Sequence, residues 1–136
     1  MYRVNYKDYP ITFGVIVACI VIYIWTSLQY SPEMSALEGI SAGGYLPLLV
    51  RTEHEYYRLI SANFIHFGIA HILMNMLSLY NIGPFIERIF GQRRYILLVL
   101  GSCLGTTLIP YIYYLLFSSP TSAMGLTVSG GASGLI

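Results

Sequence analysis

The chain has 136 residues, of which 56% are hydrophobic and only 10% are charged. A soluble domain carries roughly a quarter charged residues, so this composition predicts a membrane protein. The net charge of +1 argues against the concentrated basic surface that nucleic-acid binding requires, and we expect no nucleic-acid partner. Cys19 and Cys103 lie in apolar segments without metal or redox spacing, so we interpret them as small buried side chains.

The first apolar segment, residues 11–30, contains 20 uncharged residues. That is enough to cross a hydrocarbon core of about 30 Å at about 1.5 Å per residue. Arg3 and Lys7 precede it, as basic residues do in a signal peptide. The run is longer than the roughly 7–15 apolar residues of a signal sequence, and no clear cleavage site follows. We therefore predict a retained first membrane span.

A long connection, residues 31–65, follows the first span. Two stretches within it, residues 45–50 and 56–60, mix tyrosine, aliphatic residues and charge. This mixture suits short helices in the headgroup layer, where tyrosines anchor. Loops of this length without structure are uncommon, so we expect the connection to be folded.

Two more spans are predicted at about residues 66–82 and 95–117, and a fourth begins near residue 133. The connection between the second and third spans reads as a short basic loop, with Glu87, Arg88, Arg93 and Arg94. The positive-inside rule places this loop and the N-terminus in the cytoplasm. The 31–65 connection then faces outside.

The second predicted span carries a polar stripe. His71, Asn75 and Ser78 are spaced so that they share one helix face. Polar groups at membrane depth are costly unless they face protein or a water-filled cavity, so the stripe is a candidate functional site. The alternative is that it forms interhelical hydrogen bonds that only pack the spans together.

Ser133 lies in a Gly-Gly-Ala-Ser-Gly sequence at residues 130–134. Glycines allow positive φ and close backbone approach. If residues 135–136 open a fourth span, Ser133 lies at its N-terminus, where free N–H groups and the helix dipole stabilise an oxyanion. The spacing differs from the nucleophile turn of α/β-hydrolases. The alternative is an ordinary loop serine.

These motifs occur in a characteristic order: Arg58-Leu59-Ile60, His66, His71-x-x-x-Asn75-Met76, Gly83-Pro84-x-x-Glu87, Gly91-x-x-Arg94 and Gly131-Ala132-Ser133-Gly134. The sequence resembles the rhomboid family of intramembrane serine proteases over nearly the whole chain, most specifically from Tyr56 onward. The resemblance implies an all-α membrane protein with a rhomboid-like polytopic helical bundle of six spans. Residues 1–136 would form an incomplete rhomboid-like transmembrane domain with three spans and the start of the fourth.

The resemblance also implies site residues. Ser133 matches the nucleophile of a Ser–His dyad, and His71 and Asn75 match residues that line the oxyanion site. His66 matches a histidine that we expect to be structural. The dyad histidine belongs to the sixth span, and no histidine of this chain matches it, so we expect it beyond residue 136. Tyr57 stands where the family usually has tryptophan before Arg58, and tyrosine can still anchor at the interface.

The resemblance implies an intramembrane serine endopeptidase that cleaves transmembrane protein substrates without metal or cofactor, inactive as residues 1–136 alone. We expect an integral multi-pass protein of a bacterial plasma membrane, in contact with the lipid bilayer and with its N-terminus in the cytoplasm. A Gly-x-x-x-Gly pattern at Gly101 and Gly105 leaves a homo-oligomer open. One alternative is a non-catalytic rhomboid-like protein that binds membrane clients. Another is a transporter or channel lined by His71 and Asn75, which gives the glycine–serine motif no role.

Overall fold

The computed structural model describes residues 7–117 and 128–131, and within these ranges the chain is helical and contains no β-strand. This confirms the predicted all-α fold class. The elements in chain order are α1 (Pro10–Gln29), α2 (Ala36–Ala42), α3 (Pro47–Thr52), α4 (Arg58–Ser61), a 3₁₀ helix (Ala62–Phe64) and α5 (Ile69–Phe117). The predicted start of a fourth span near residue 133 lies outside the described residues.

Helix α1 matches the first predicted span. Pro10 opens it, where the missing proline N–H leaves no intrahelical hydrogen bond unmade. One face of α1 packs against α5 through a buried apolar cluster of Ile16, Cys19, Ile72, Met76 and Leu79. The opposite face is apolar and open, and Leu28 is 81% exposed. Both α1 and α5 are long and apolar enough to cross a membrane, as a membrane protein requires.

Helix α5 contains 49 residues and would be about 74 Å long if straight, more than twice the thickness of a hydrocarbon core. Gly91 interrupts it with φ 79° and ψ 164°. The arm after Gly91 returns beside the arm before it, because a Cβ added to Gly83 would lie 3.1 Å from the Tyr95 hydroxyl. The two antiparallel arms occupy the positions of the second and third predicted spans.

The helix bounds differ from those predicted. Helix α5 begins at Ile69, whose N–H donates a 3.2 Å hydrogen bond to the Glu33 carboxylate. The predicted basic loop is wrong, because Glu87, Arg88, Arg93 and Arg94 are all helical. Glu87 is also buried. Its carboxylate accepts hydrogen bonds from the first turn of α1, and these bonds compensate for the lost hydration. Only Gly91 leaves the helical conformation.

The connection between α1 and α5 is folded, as predicted. Arg58 holds it together from a buried position, since its guanidinium donates to the carbonyls of Ile40 at 2.5 Å and Gly44 at 2.9 Å. The same side chain pairs with Glu55 at 2.6 Å. Ser61 adds a 2.6 Å hydrogen bond to the carbonyl of Gly43, which has a φ of 115°. These bonds pair backbone carbonyls at and after the C-terminal end of α2 that lack partners within the helix.

Both cysteines are buried and free, which confirms their interpretation as small apolar side chains. Gly101 faces open space, and Gly105 has only Ile109 near its Cβ position. The described residues therefore leave this glycine face uncovered, and a homo-oligomer stays a prediction.

Candidate active site

The polar stripe lies in the first turns of α5, immediately after the folded connection. Asn75 is buried, with 8% of its surface exposed. His71 and Ser78 are half-buried on the same face. The residues between them carry the apolar side chains that pack against α1 or face outward. The stripe therefore faces the interior of the molecule, as the spacing predicts.

The backbone at Gly131 lies directly against this stripe. A Cβ added there would lie 2.5 Å from both Cε1 and Nε2 of His71, and 3.3 Å from Nδ2 of Asn75. Gly131 also has a φ of 108°, a conformation that side chains disfavour. Glycine is thus required at this position for two reasons: the backbone has a positive φ, and a side chain would collide with the His71 ring. The chain approaches the imidazole and the amide two residues before Ser133.

Hydrogen bonds to the connection hold this segment in place. The Gly131 N–H donates to the Ala62 carbonyl at 2.7 Å. Tyr45 and Ser129 exchange a pair of backbone hydrogen bonds of 2.8 and 3.1 Å. A Cβ on Gly130 would lie 2.8 Å from the Ile65 carbonyl oxygen, so the second glycine permits a close approach as well. These bonds fix residues 129–131 against the connection, next to His71.

The Asn75 amide has a donor to offer. Its Nδ2 is buried and has no hydrogen-bond partner among the described residues. A buried donor without a partner costs about 1–3 kcal/mol, and such groups are rare in native structures. An unpaired amide beside a glycine turn is a suitable donor for a developing oxyanion.

The other two histidines have different surroundings. His66 is fully buried just before α5, with its Nδ1 3.3 Å from the Phe64 carbonyl oxygen. Its ring centroid is 5.0 Å from that of His71. Burial and, to a smaller extent, the neighbouring His71 ring lower the pKa of His66, which keeps the ring neutral. His54 is exposed and stacks on Tyr56.

The Rhomboid domain family matches residues 53–136, more than half of the chain. The chain belongs to the rhomboid family. Rhomboid protease GluP of Bacillus subtilis is 26% identical over 125 residues, which cover 92% of this chain and 22% of that protein. RHOMBOID-like protein 2 of Arabidopsis thaliana is 34% identical over 107 residues, or 79% of this chain and 30% of that protein.

The chain spans less than a third of the length of these rhomboid relatives. No solved structure gives a significant match. Family membership, together with the apolar helices, makes the chain part of a rhomboid-family membrane protein.

Two of the three predicted site residues of this rhomboid are described. His71 and Asn75 lie together beside Gly131, whereas Ser133 falls outside the described residues. Among the described residues, no group of three His, Cys, Asp or Glu side chains could hold a metal ion.

The sequence analysis did not identify Asn63, whose hydrogen bonds hold the elements around the site together. Its buried amide donates to the carbonyls of Leu59, Ile60 and Cys103 at 3.0–3.3 Å. The Thr106 hydroxyl donates to its Oδ1 at 3.1 Å. These bonds tie the 3₁₀ helix that docks Gly131 to the second arm of α5. The one feature of the sequence that could have indicated this role is the position of Asn63 as a polar residue among apolar neighbours.

A polar cavity of about 190 Å³ adjoins the Gly131 backbone. Its walls come from the connection, from the second arm of α5 and from residues 129–131, and include Asn63, Thr106 and Thr107. The volume is many times the roughly 10–15 Å³ that one water molecule needs on a comparable measure. Polar groups and space for water therefore lie next to the candidate active site.

Proposed function

We propose that the full-length protein is a serine endopeptidase that cleaves transmembrane protein substrates inside the bilayer. The observation that carries this proposal is the contact of the Gly131 backbone with His71 and Asn75. This contact brings the chain leading to Ser133 to a buried amide that lacks a partner. An acyl-transfer site needs a nucleophile and oxyanion donors in such proximity.

The proposed reaction has two stages. The Ser133 hydroxyl oxygen attacks the scissile carbonyl carbon while its proton passes to a histidine base, which then protonates the leaving amine. Water hydrolyses the resulting acyl-enzyme by the reverse proton path. Asn75, with the Ser133 N–H and His71, stabilises the negative oxygen. We propose that the base lies beyond residue 136, since none of His54, His66 and His71 matches the family's dyad histidine.

The substrate must unwind before attack. The carbonyls of a transmembrane helix are occupied by its own hydrogen bonds, so a scissile carbonyl becomes accessible only where the helix opens. We propose that substrates carry helix-breaking residues near the outer membrane face. The enzyme itself would be a multi-pass protein of a bacterial plasma membrane with a cytoplasmic N-terminus.

Kinetics of the full-length protein in reconstituted bilayers test the oxyanion assignment. Asn75→Ala should lower kcat on the order of 10²-fold, the lower range for loss of one oxyanion donor. His71→Ala should cost more, because it removes a donor and also a side chain that helps to position Asn75. Ser78→Ala is the matched control on the same helix face and should stay near the wild-type rate.

Each variant must first show wild-type thermal unfolding, so that lost activity is not lost structure. Wild-type rates in both Asn75→Ala and His71→Ala would remove the oxyanion assignment. A wild-type protein that binds transmembrane clients without cleaving them would favour the non-catalytic rhomboid-like alternative instead.

A further inference from the structure

A larger cavity, of about 430 Å³, lies between the folded connection and the second arm of α5. We call it the tyrosine groove. Its walls are largely apolar and are formed by Tyr45, Pro47, Thr106, Ile109, Pro110, Tyr113, Tyr114 and Ser129. The volume falls within the roughly 300–1,000 Å³ of small-molecule sites. It is a separate space from the polar cavity beside Gly131, although Thr106 and Ser129 border both.

Two tyrosine hydroxyls of the groove are unsatisfied. Tyr114 is fully buried and Tyr45 is 6% exposed. Neither hydroxyl has a hydrogen-bond partner among the described residues. Buried hydroxyls are normally paired, because an unmade bond leaves the loss of hydration uncompensated. Each hydroxyl can therefore donate a hydrogen bond to an acceptor that reaches it.

A cation lies close to one residue of the groove wall. The Arg51 guanidinium carbon lies 5.5 Å from the centre of the Tyr114 ring. Burial, followed by the nearby Tyr111 and Tyr114, raises the pKa of Tyr45 to about 12. The Tyr45 hydroxyl therefore keeps its proton and can donate it to an acceptor.

We propose that the tyrosine groove binds one anionic glycerophospholipid. An acyl chain lies along the apolar wall at Ile109 and Tyr113, and ester or phosphate oxygens accept hydrogen bonds from Tyr45 and Tyr114. Arg51 attracts the negative headgroup. An apolar wall backed by two buried donors, with a cation nearby, matches an amphiphile with oxygen acceptors and negative charge. The groove borders helix faces that are already exposed and apolar, as lipid contact requires.

Both hydroxyl oxygens are covered in the structure, so the lipid must displace neighbouring side chains slightly to reach them. This predicts a specific site that exchanges slowly, in contrast to the general lipid contact along the open face of α1.

Photolabelling of the full-length protein in nanodiscs tests the proposal. A trace of phosphatidylglycerol with a diazirine in the acyl chain is activated, and labelled peptides are mapped by mass spectrometry. Wild-type protein should be labelled around residues 106–114. Tyr45→Phe combined with Tyr114→Phe should reduce this labelling at least about five-fold, as expected for the loss of one to two hydrogen bonds. Tyr80→Phe, on the first arm of α5, is the matched control and should label as wild type.

Two further variants separate the charge from the shape of the groove. Unlabelled phosphatidylglycerol should compete better than phosphatidylcholine for the wild-type site, and Arg51→Gln should abolish this preference while Arg93→Gln retains it. Ile109→Trp should fill the groove and block labelling while leaving the hydroxyls and the cation in place. Ile109 is 69% exposed, so the larger side chain is compatible with folding, which thermal unfolding checks.

Equal labelling of the wild type and Ile109→Trp would overturn the proposal. Absence of label around residues 106–114 in the wild type would also overturn it and would indicate that another segment of the protein covers the groove. Labelling needs no cleavage activity, so the result is independent of the proposed protease function.

Discussion

Gly131 is the residue whose backbone contacts the two described site residues, His71 and Asn75. Its positive φ and the short distances from its Cβ position to His71 leave no space for any side chain. The hydrogen bond from its N–H to the Ala62 carbonyl fixes the distance between the backbone of residues 129–131 and the Asn75 side chain. A change at this one position would therefore move the chain that carries Ser133.

If the full-length protein is the proposed protease, Gly131→Ala should lower its kcat by at least about 10²-fold, a loss typical of a small misplacement of reacting groups. Gly101→Ala is the matched control, because a Cβ at Gly101 meets nothing within 4 Å. Cleavage rates of a transmembrane reporter and thermal unfolding should be measured for both. Wild-type cleavage by a folded Gly131→Ala would show that the backbone at this position does not set the site geometry.

Helices α1 and α5 are joined at one end by a single carboxylate. Glu87 accepts hydrogen bonds from the N–H groups of Ile11 and Thr12, each 3.0 Å long, and from the Thr12 hydroxyl at 2.7 Å. No side chain of the residue preceding α1 caps this helix, so Glu87 takes that role from α5. The negative charge also complements the positive end of the α1 dipole.

We predict that Glu87→Ala lowers the free energy of unfolding by about 2–3 kcal/mol, because it leaves buried N–H groups unpaired. Glu87→Gln should lose less, since its amide carbonyl retains one acceptor. Glu53→Ala changes an exposed carboxylate and should stay within about 0.5 kcal/mol of the wild type. Unfolding in detergent micelles measures the series. Equal losses in Glu87→Ala and Glu53→Ala would contradict the capping role.

The sequence predicted the elements better than the contacts between them. The long apolar runs and the glycines were sufficient to predict α1 and the two arms of α5, and motif spacing brought His71 and Asn75 onto one face. The link from Glu87 to Thr12 bridges 75 residues, and the pairing of Tyr45 with Ser129 bridges a similarly long stretch. Local patterns carry no signal for such pairings, so the loop predicted at Glu87 was wrong and the support from Asn63 was missed.

At the scale of the whole molecule, the orientation in the membrane stays a prediction. Cysteines placed at Glu53 and Arg93, both exposed, can test it against a low background, since Cys19 and Cys103 are buried. We expect an impermeant thiol reagent to label Glu53→Cys on intact cells and Arg93→Cys only after permeabilisation. The positive-inside rule is the physical reason. Labelling of Arg93→Cys but not of Glu53→Cys on intact cells would reverse the orientation.

The rhomboid family of the chain follows from its sequence, and the structure adds a packed arrangement of His71, Asn75 and Gly131 that suits an oxyanion site. The central claim is that Ser133 is the nucleophile. Its neighbour Ser129 offers a matched control, because the bonds that Ser129 makes to Tyr45 are backbone bonds that alanine retains.

Cleavage of a transmembrane reporter by the full-length protein in reconstituted bilayers tests this claim most directly. We predict that Ser133→Ala abolishes cleavage, because no neighbouring group can form the acyl-enzyme, whereas Ser129→Ala cleaves at close to the wild-type rate. Cleavage by folded Ser133→Ala at the wild-type rate would contradict the assignment of a serine protease.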